Sequence, residues 1–197
     1  MVPMAAMGSE LESEVRQLVT TVLNRVLDAP PAEATGAPPA PVDPEGRLAI
    51  GADHGGYELK EGLKAKLVEA GWAVEDCGTD DTSACDYPTF AHTVARQVAM
   101  GRCVAGIMID GAGIGSAMAA NKVPRVRAAA CYDLSTARNS REHNRANVLT
   151  LGAGLTGPAL AWQIVQEWLT TPLGTGRHHR RVGLIDEIES TYLRSDG

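Results

Sequence analysis

The chain has 197 residues, 44% of them hydrophobic, and a formal net charge of −6, enough length for one domain with a real core plus an appendage. With no basic run, the composition argues against nucleic acid as the main partner, although a local basic pocket for a phosphate is compatible with an acidic total. No apolar stretch reaches membrane-spanning length, and the N-terminus lacks the basic start and long apolar run of a signal peptide, so the expectation is a cytoplasmic protein with no membrane partner.

In chain order, the first expected element is a short amphipathic helix within residues 1–27. Leu11, Val15, Leu18, Val19, Val22, Leu23 and Val26 recur at helical spacing, and Ser9 with Glu10 and Glu12 suits a helix start. Residues 28–46 follow as a tether: they hold six of the eleven prolines and no aromatic residue. An apolar helix face held away from its domain needs a groove, a copy of itself or a membrane surface. Its polar positions carry too little positive charge for an anionic membrane, which favours a protein partner; folding back on its own domain is the alternative.

Residues 47–197 form the expected globular domain. Strand signals fall at 48–52, 73–76, 105–109, 127–131 and 148–152, and helix signals at 56–70, 87–100, 115–121, 135–142 and 157–170. Such alternation predicts an α/β fold, a three-layer Rossmann-like parallel sheet flanked by helices. Ligands of these folds sit at the carboxyl ends of the strands. Three polar places are expected to meet there: Asp53-His54 after the first strand, Asp110 with its glycine turn after the third, and His143-Asn144 before the fifth.

The most informative stretch is the strand that ends on Asp110 and runs through Gly111, Ala112, Gly113, Ile114 and Gly115 into a helix beginning near Ser116. Such a turn leaves backbone amides without intrahelical partners and adds the positive end of the helix dipole. A dinucleotide site is a poor match, because Ser116 stands where the third glycine belongs, and a P-loop would need a Gly-Lys-Ser or Gly-Lys-Thr close. The bland reading is that the glycines only permit tight strand-helix packing. Cys77, Cys85, Cys103 and Cys131 lack C-x-x-C spacing, so free thiols are expected rather than disulfides or a metal site. Cys103 and Cys131 read as core, His92 as a surface or packing residue, and Trp162 and Trp168 as core or subunit contact.

With these residues assembled, the domain resembles the ribose-5-phosphate isomerase B family, which includes the galactose-6-phosphate isomerase subunits. The matching stretches are Gly51 to Gly56, Asp86-Tyr87-Pro88, Gly111 to Gly115 with Ala119 to Lys122, Ser140 to Asn144, and Gly176 to Arg181. The resemblance implies a metal-free, cofactor-free exchange of aldose and ketose phosphates, by proton transfer through an enediolate. It implies amides of the Gly111 to Gly115 turn for the enediolate, with Ser116 at the end of that turn. It further implies His143 for ring opening, Asn144 for positioning, and Asp53, His54 and Tyr87 for substrate contact. Arg177 and Arg181 would hold the phosphate, in a homodimer or tetramer whose site is shared between subunits. If their segment is helical, both fall on one face, and guanidinium forks suit phosphate oxygens.

The family's pattern breaks at Asp110, where one branch has a catalytic cysteine, and another has glycine with a glutamate at the position of Ser116. Two readings stay open: Asp110 is itself the base, or it caps the next helix and the protein binds a sugar phosphate without turning it over. Gly154 is a second departure, standing where relatives often carry an arginine. The N-terminal helix and tether resemble the encapsulation peptides of bacterial microcompartment enzymes. That resemblance implies a shell protein bound through residues 9–27 and a place in a microcompartment lumen.

Overall fold

The computed structural model describes Gln17, Val42, Asp43 and residues 45–193. The chain divides into two units, Met1–Thr35 and Gly36–Gly197, and the second holds the whole sheet. The expected helix within 1–27 and almost all of the tether lie outside the described residues.

Five strands alternate with helices: β1 (Arg47–Ala52), α1 (Tyr57–Glu69), β2 (Ala73–Asp76), α2 (Tyr87–Ala99), β3 (Ala105–Asp110), α3 (Ile114–Ala120), β4 (Ala128–Ala130), α4 (Leu134–Glu142), β5 (Val148–Gly152), α5 (Pro158–Thr170) and α6 (Arg177–Leu193). All strands are parallel, in the order β2-β1-β3-β5-β4. The central β3 is buried at every position, as a parallel strand covered on both faces must be.

Successive side chains leave a strand on opposite faces, and the core divides accordingly. Leu48, Ile50, Ile107 and Ile109 pack with Leu63 and Leu67 of α1 and Ile164 and Trp168 of α5. Ala49 and Met108 face the other way, against Ala91 and Val94 of α2. Trp168 is fully buried, and its indole nitrogen donates to Ser140 Oγ at 3.1 Å, which locks α5 to α4. Trp162 packs only at the margin of this core.

One charged side chain breaks the apolar pattern. Lys60 is completely buried, and its ammonium donates to both Asp76 carboxylate oxygens at 2.9 Å and to the Thr79 carbonyl at 2.8 Å. It therefore pins the start of the long β2–α2 connection.

The strand order places the topological switch between β1 and β3, since β1 leads outward to β2 on one side and β3 lies on the other. In open parallel sheets this is where ligands bind. Gly56 makes the close approach there possible: a Cβ on it would lie 2.5 Å from the Ile109 carbonyl oxygen. Gly56→Ala is accordingly expected to destabilise the fold by about 1–3 kcal/mol, read as a lower urea midpoint with an unchanged slope.

Candidate active site

β3 delivers Asp110 to the carboxyl edge beside the switch, with 5% of the residue exposed. Gly113 then takes a left-handed backbone, φ +78°, with its Cα facing Leu151; a Cβ there would sit 3.0 Å from the Leu151 carbonyl carbon. The turn is braced by neighbouring backbone: Ala153 N donates to the Asp110 carbonyl at 2.8 Å and Gly154 N to the Gly111 carbonyl at 3.0 Å. Thr150 Oγ1 donates to the Gly113 carbonyl at 2.6 Å.

The turn's amides converge on Asp110 itself. One carboxylate oxygen accepts from Ala112 N at 2.7 Å and from Gly113 N; the other accepts from Ser116 N at 3.0 Å and from the Ser116 hydroxyl. The cradle expected for a substrate oxyanion is thus filled by the carboxylate at its rim. The helix-capping reading of Asp110 describes this geometry, and a carboxylate oxygen is also a close stand-in for an enediolate oxygen.

Asp53 lies alongside. Its Oδ1 accepts from Gly56 N at 3.0 Å, and a Cβ on Gly55 would lie 3.4 Å from that oxygen and 3.9 Å from Gly111 N, so the two loops adjoin. His54 is exposed, with Nδ1 3.2 Å from both the amide nitrogen and the carbonyl oxygen of Cys85. Tyr87 opens α2 and covers the glycine turn, since a Cβ on Gly115 would meet its ring carbons at 2.6 and 2.7 Å. Asp53, His54, Tyr87 and the 110–116 turn therefore form one cluster at the β1/β3 edge.

His143 and Asn144 do not join it, which corrects the expectation of a single crevice. In a parallel sheet the helix after β4 runs back from the carboxyl edge, so the end of α4 and the loop before β5 lie at the amino edge. The length of β5, about 16 Å for its five residues, separates the two edges.

At that amino edge a second cluster forms. Gly174 N donates to the Glu142 carbonyl at 2.7 Å and draws the start of α6 to the end of α4. The His143 and His178 rings stack with centroids 4.3 Å apart and planes 6° from parallel. Asn139 Nδ2 lies 2.8 Å from His143 Nδ1, and His143 Nε2 lies 3.9 Å from the Glu142 carboxylate. Arg177 and Arg181 are exposed in the first two turns of α6, one turn apart, as a helical segment requires.

Desolvation, then the charges of His143, Arg177 and Arg181, hold the His178 imidazole below its ordinary value. A base depressed in the folded state costs nothing above its unfolded value near 6.5 and costs stability as pH falls from there through the folded value. Wild-type and His178→Gln chains should therefore have the same pH dependence of Tm above about pH 6.5 and diverge below it, with the wild type losing more.

The remaining cysteines behave as structure: burial pushes the Cys131 and Cys77 thiols up to about 11. Among the described residues no group of three His, Cys, Asp or Glu side chains is placed to hold a metal ion. Sequence reasoning missed Lys60, Thr150 and the Cys85 backbone as supports of the site.

The family description Ribose/Galactose Isomerase matches residues 48–185. The ribose-5-phosphate isomerase B of Escherichia coli is 43% identical over 143 residues, 73% of this chain and 96% of that protein. The structure of ribose-5-phosphate isomerase B from Clostridium thermocellum superposes with a TM-score of 0.73 at 48% identity, covering 74% of this chain and 99% of that one. The enzyme of Mycoplasma genitalium with bound ribulose-5-phosphate gives 0.70 at 36% identity, covering 73% and 96%. With the motifs, the sheet and the edge cluster all in this register, the chain belongs to the ribose/galactose isomerase family.

Proposed function

We propose that this chain isomerises an aldose phosphate of the ribose 5-phosphate type to its ketose, with Asp110 as the proton carrier and no metal. The observation that carries the reading is the Asp110 carboxylate seated in its own amide cradle. As substrate settles against Asp53 and Tyr87, its carbonyl oxygen takes over the Ala112 and Gly113 amides. The released carboxylate is then beside the carbon acid. It removes the proton from the carbon next to the carbonyl, and charge builds on the oxygen held by the amides; that proton returns to the former carbonyl carbon, while the hydroxyl proton passes from the oxygen that becomes the new carbonyl to the oxygen that becomes the new hydroxyl.

The amino-edge cluster supplies the other half. His143 opens the sugar ring, Asn144 orients it, and Arg177 and Arg181 hold the phosphate. Because these lie across the sheet from Asp110 within one chain, the complete site takes each half from a different copy, in a two-fold homodimer. Exposed apolar side chains support this: Ile114 and Met118 one turn apart on α3 beside the cradle, and Leu184 and Ile188 one turn apart on α6.

Residues 1–27 act as a targeting segment for a microcompartment shell protein. Supporting this, the family match begins at residue 48, and the Escherichia coli relative is matched over 96% of its length without the extension. A chain starting at Arg47 should keep its activity and cease to co-fractionate with shell proteins.

The seating of Asp110 also favours a second reading, a sugar-phosphate-binding protein without turnover. Incubation with four-, five- and six-carbon sugar phosphates in heavy water, followed by NMR, separates the two. Deuterium at the carbon next to the carbonyl supports the isomerase and identifies its substrate; binding with no exchange supports the second reading.

A further inference from the structure

Beside the amino-edge cluster, where Arg141 and Arg145 flank His143 and Asn144 in the chain, a cleft of about 1310 Å3 opens between the end of α2, the segments around β4 and β5, and the C-terminal half of α6. Its wall contains five arginines, Arg96, Arg125, Arg127, Arg141 and Arg145, against three carboxylates, in a chain that is acidic overall. All three carboxylates are engaged: Asp186 pairs with Arg127 at 2.8 Å, Glu189 accepts the Arg125 backbone amide at 2.9 and 3.0 Å, and Asp43 accepts the Glu45 backbone amide at 3.0 Å. Among the described residues, the side chains of Arg96, Arg125, Arg141 and Arg145 have no carboxylate partner.

Two further observations set this wall apart. Arg125 and Arg145, with φ of 67° and 49°, are the only non-glycine residues in left-handed backbone among the described residues. Strain of that kind concentrates where a side chain must be held in one place. Arg141 is 8% exposed and held rigidly: it donates to the Ala146 carbonyl at 2.6 Å and the Thr171 carbonyl at 3.3 Å, and lies 5.0 Å from the Trp168 ring centre. Burial first, then repulsion from Arg145 and Arg127, brings its guanidinium down to about 10. Like charges gathered around a buried cation favour an anion among them.

We propose that this cleft is a second anion site, which takes a small dianion of the phosphate or phosphate-monoester class on the guanidinium forks of Arg145, Arg125 and Arg96. Neither Arg177 nor Arg181 lines it: the first α6 residue in its wall, Asp186, lies five positions beyond Arg181, about 7.5 Å along the helix. A dianion here competes with Asp186 for Arg127 and so bears on the helix that carries Arg177 and Arg181.

The test uses the full chain with Arg177→Ala and Arg181→Ala, which empties the reaction-site phosphate position, and titrates it by calorimetry at low salt. Inorganic phosphate and ribose 5-phosphate are titrated in parallel, to tell a free anion from a monoester. One site per chain should remain for at least one of them. Arg145→Glu should weaken it about tenfold or more, whereas Lys66→Glu, an equal charge change on α1 outside the cleft, should leave it in place. Arg96→Ala, an exposed truncation, serves as the second variant should Arg145→Glu disturb the melting curve. No residual binding by either probe, no weakening in the cleft variants, or equal weakening in Lys66→Glu overturns the proposal. The readout is binding, so it stands apart from whether the chain turns over any sugar.

Discussion

Asp110→Asn should lower kcat/KM for the sugar phosphate by about two to four orders of magnitude, the usual worth of a positioned acid-base group. Deuterium exchange at the carbon next to the carbonyl should fall with it. The substitution keeps the shape of the side chain and removes the group that accepts the proton. Its NH2 would also face amide and hydroxyl donors that now have an acceptor at Ala112, Gly113 and Ser116. A stability loss of about 1–3 kcal/mol should therefore accompany the loss of rate. The two effects separate by temperature: the rate loss persists well below the melting transition. A chain that bound sugar phosphate without turning it over would show the stability loss alone.

Lys60→Met should be the most damaging single change outside the carboxyl edge, lowering stability by about 2–4 kcal/mol. Methionine fits the volume but leaves the Thr79 carbonyl without its donor and the Asp76 carboxylate with Lys64, at 2.6 Å, as its remaining cationic partner. For a domain of this size that is a fall in Tm of roughly 5–15 °C. Asp76→Leu added to Lys60→Met should recover part of the loss, because the orphaned carboxylate is gone. Burial by itself raises the Asp76 carboxyl, but hydrogen bonds from Lys64, Lys60 and the Gly78 amide hold it below its ordinary value. The pair's contribution is thus intact above the unfolded carboxylate value near 4 and is lost as pH falls through the folded one. The same change should raise KM, because Lys60 pins the connection whose far end carries Cys85, the backbone partner of His54, and Tyr87.

What the sequence made legible was periodicity. The expected strand at 105–109 ends one residue short of the observed Asp110, and the expected helix at 135–142 begins one residue inside the observed Leu134–Glu142. A short, continuous apolar run with isoleucines is a local signal and survives into the fold. Lys60 was illegible for the opposite reason: a lysine among Glu58, Glu61 and Lys64 reads as a solvated helix face, and only the return of β2 brings Asp76 over it. The sequence supports a helix over Arg177–Leu193 only conditionally, since its apolar face is largely exposed in one chain. For His143 and Asn144 the sequence shows a polar loop next to a strand, but not which end of the strand the loop adjoins. Parallel connectivity answers that: the loop before β5 lies at the amino edge and Asp110 at the carboxyl edge, which divides the expected crevice within one chain.

That division is the core of the account, and mixing two inactive chains tests it most directly. Asp110→Asn and His143→Ala chains are each unfolded and refolded together in equal amounts, and ribose 5-phosphate isomerisation is measured against each alone. Random pairing makes about half the dimers mixed, each with one site free of both substitutions, so about a quarter of wild-type activity should return. A mixture no more active than its separate components, with exchange of subunits verified, would contradict a site shared between two copies.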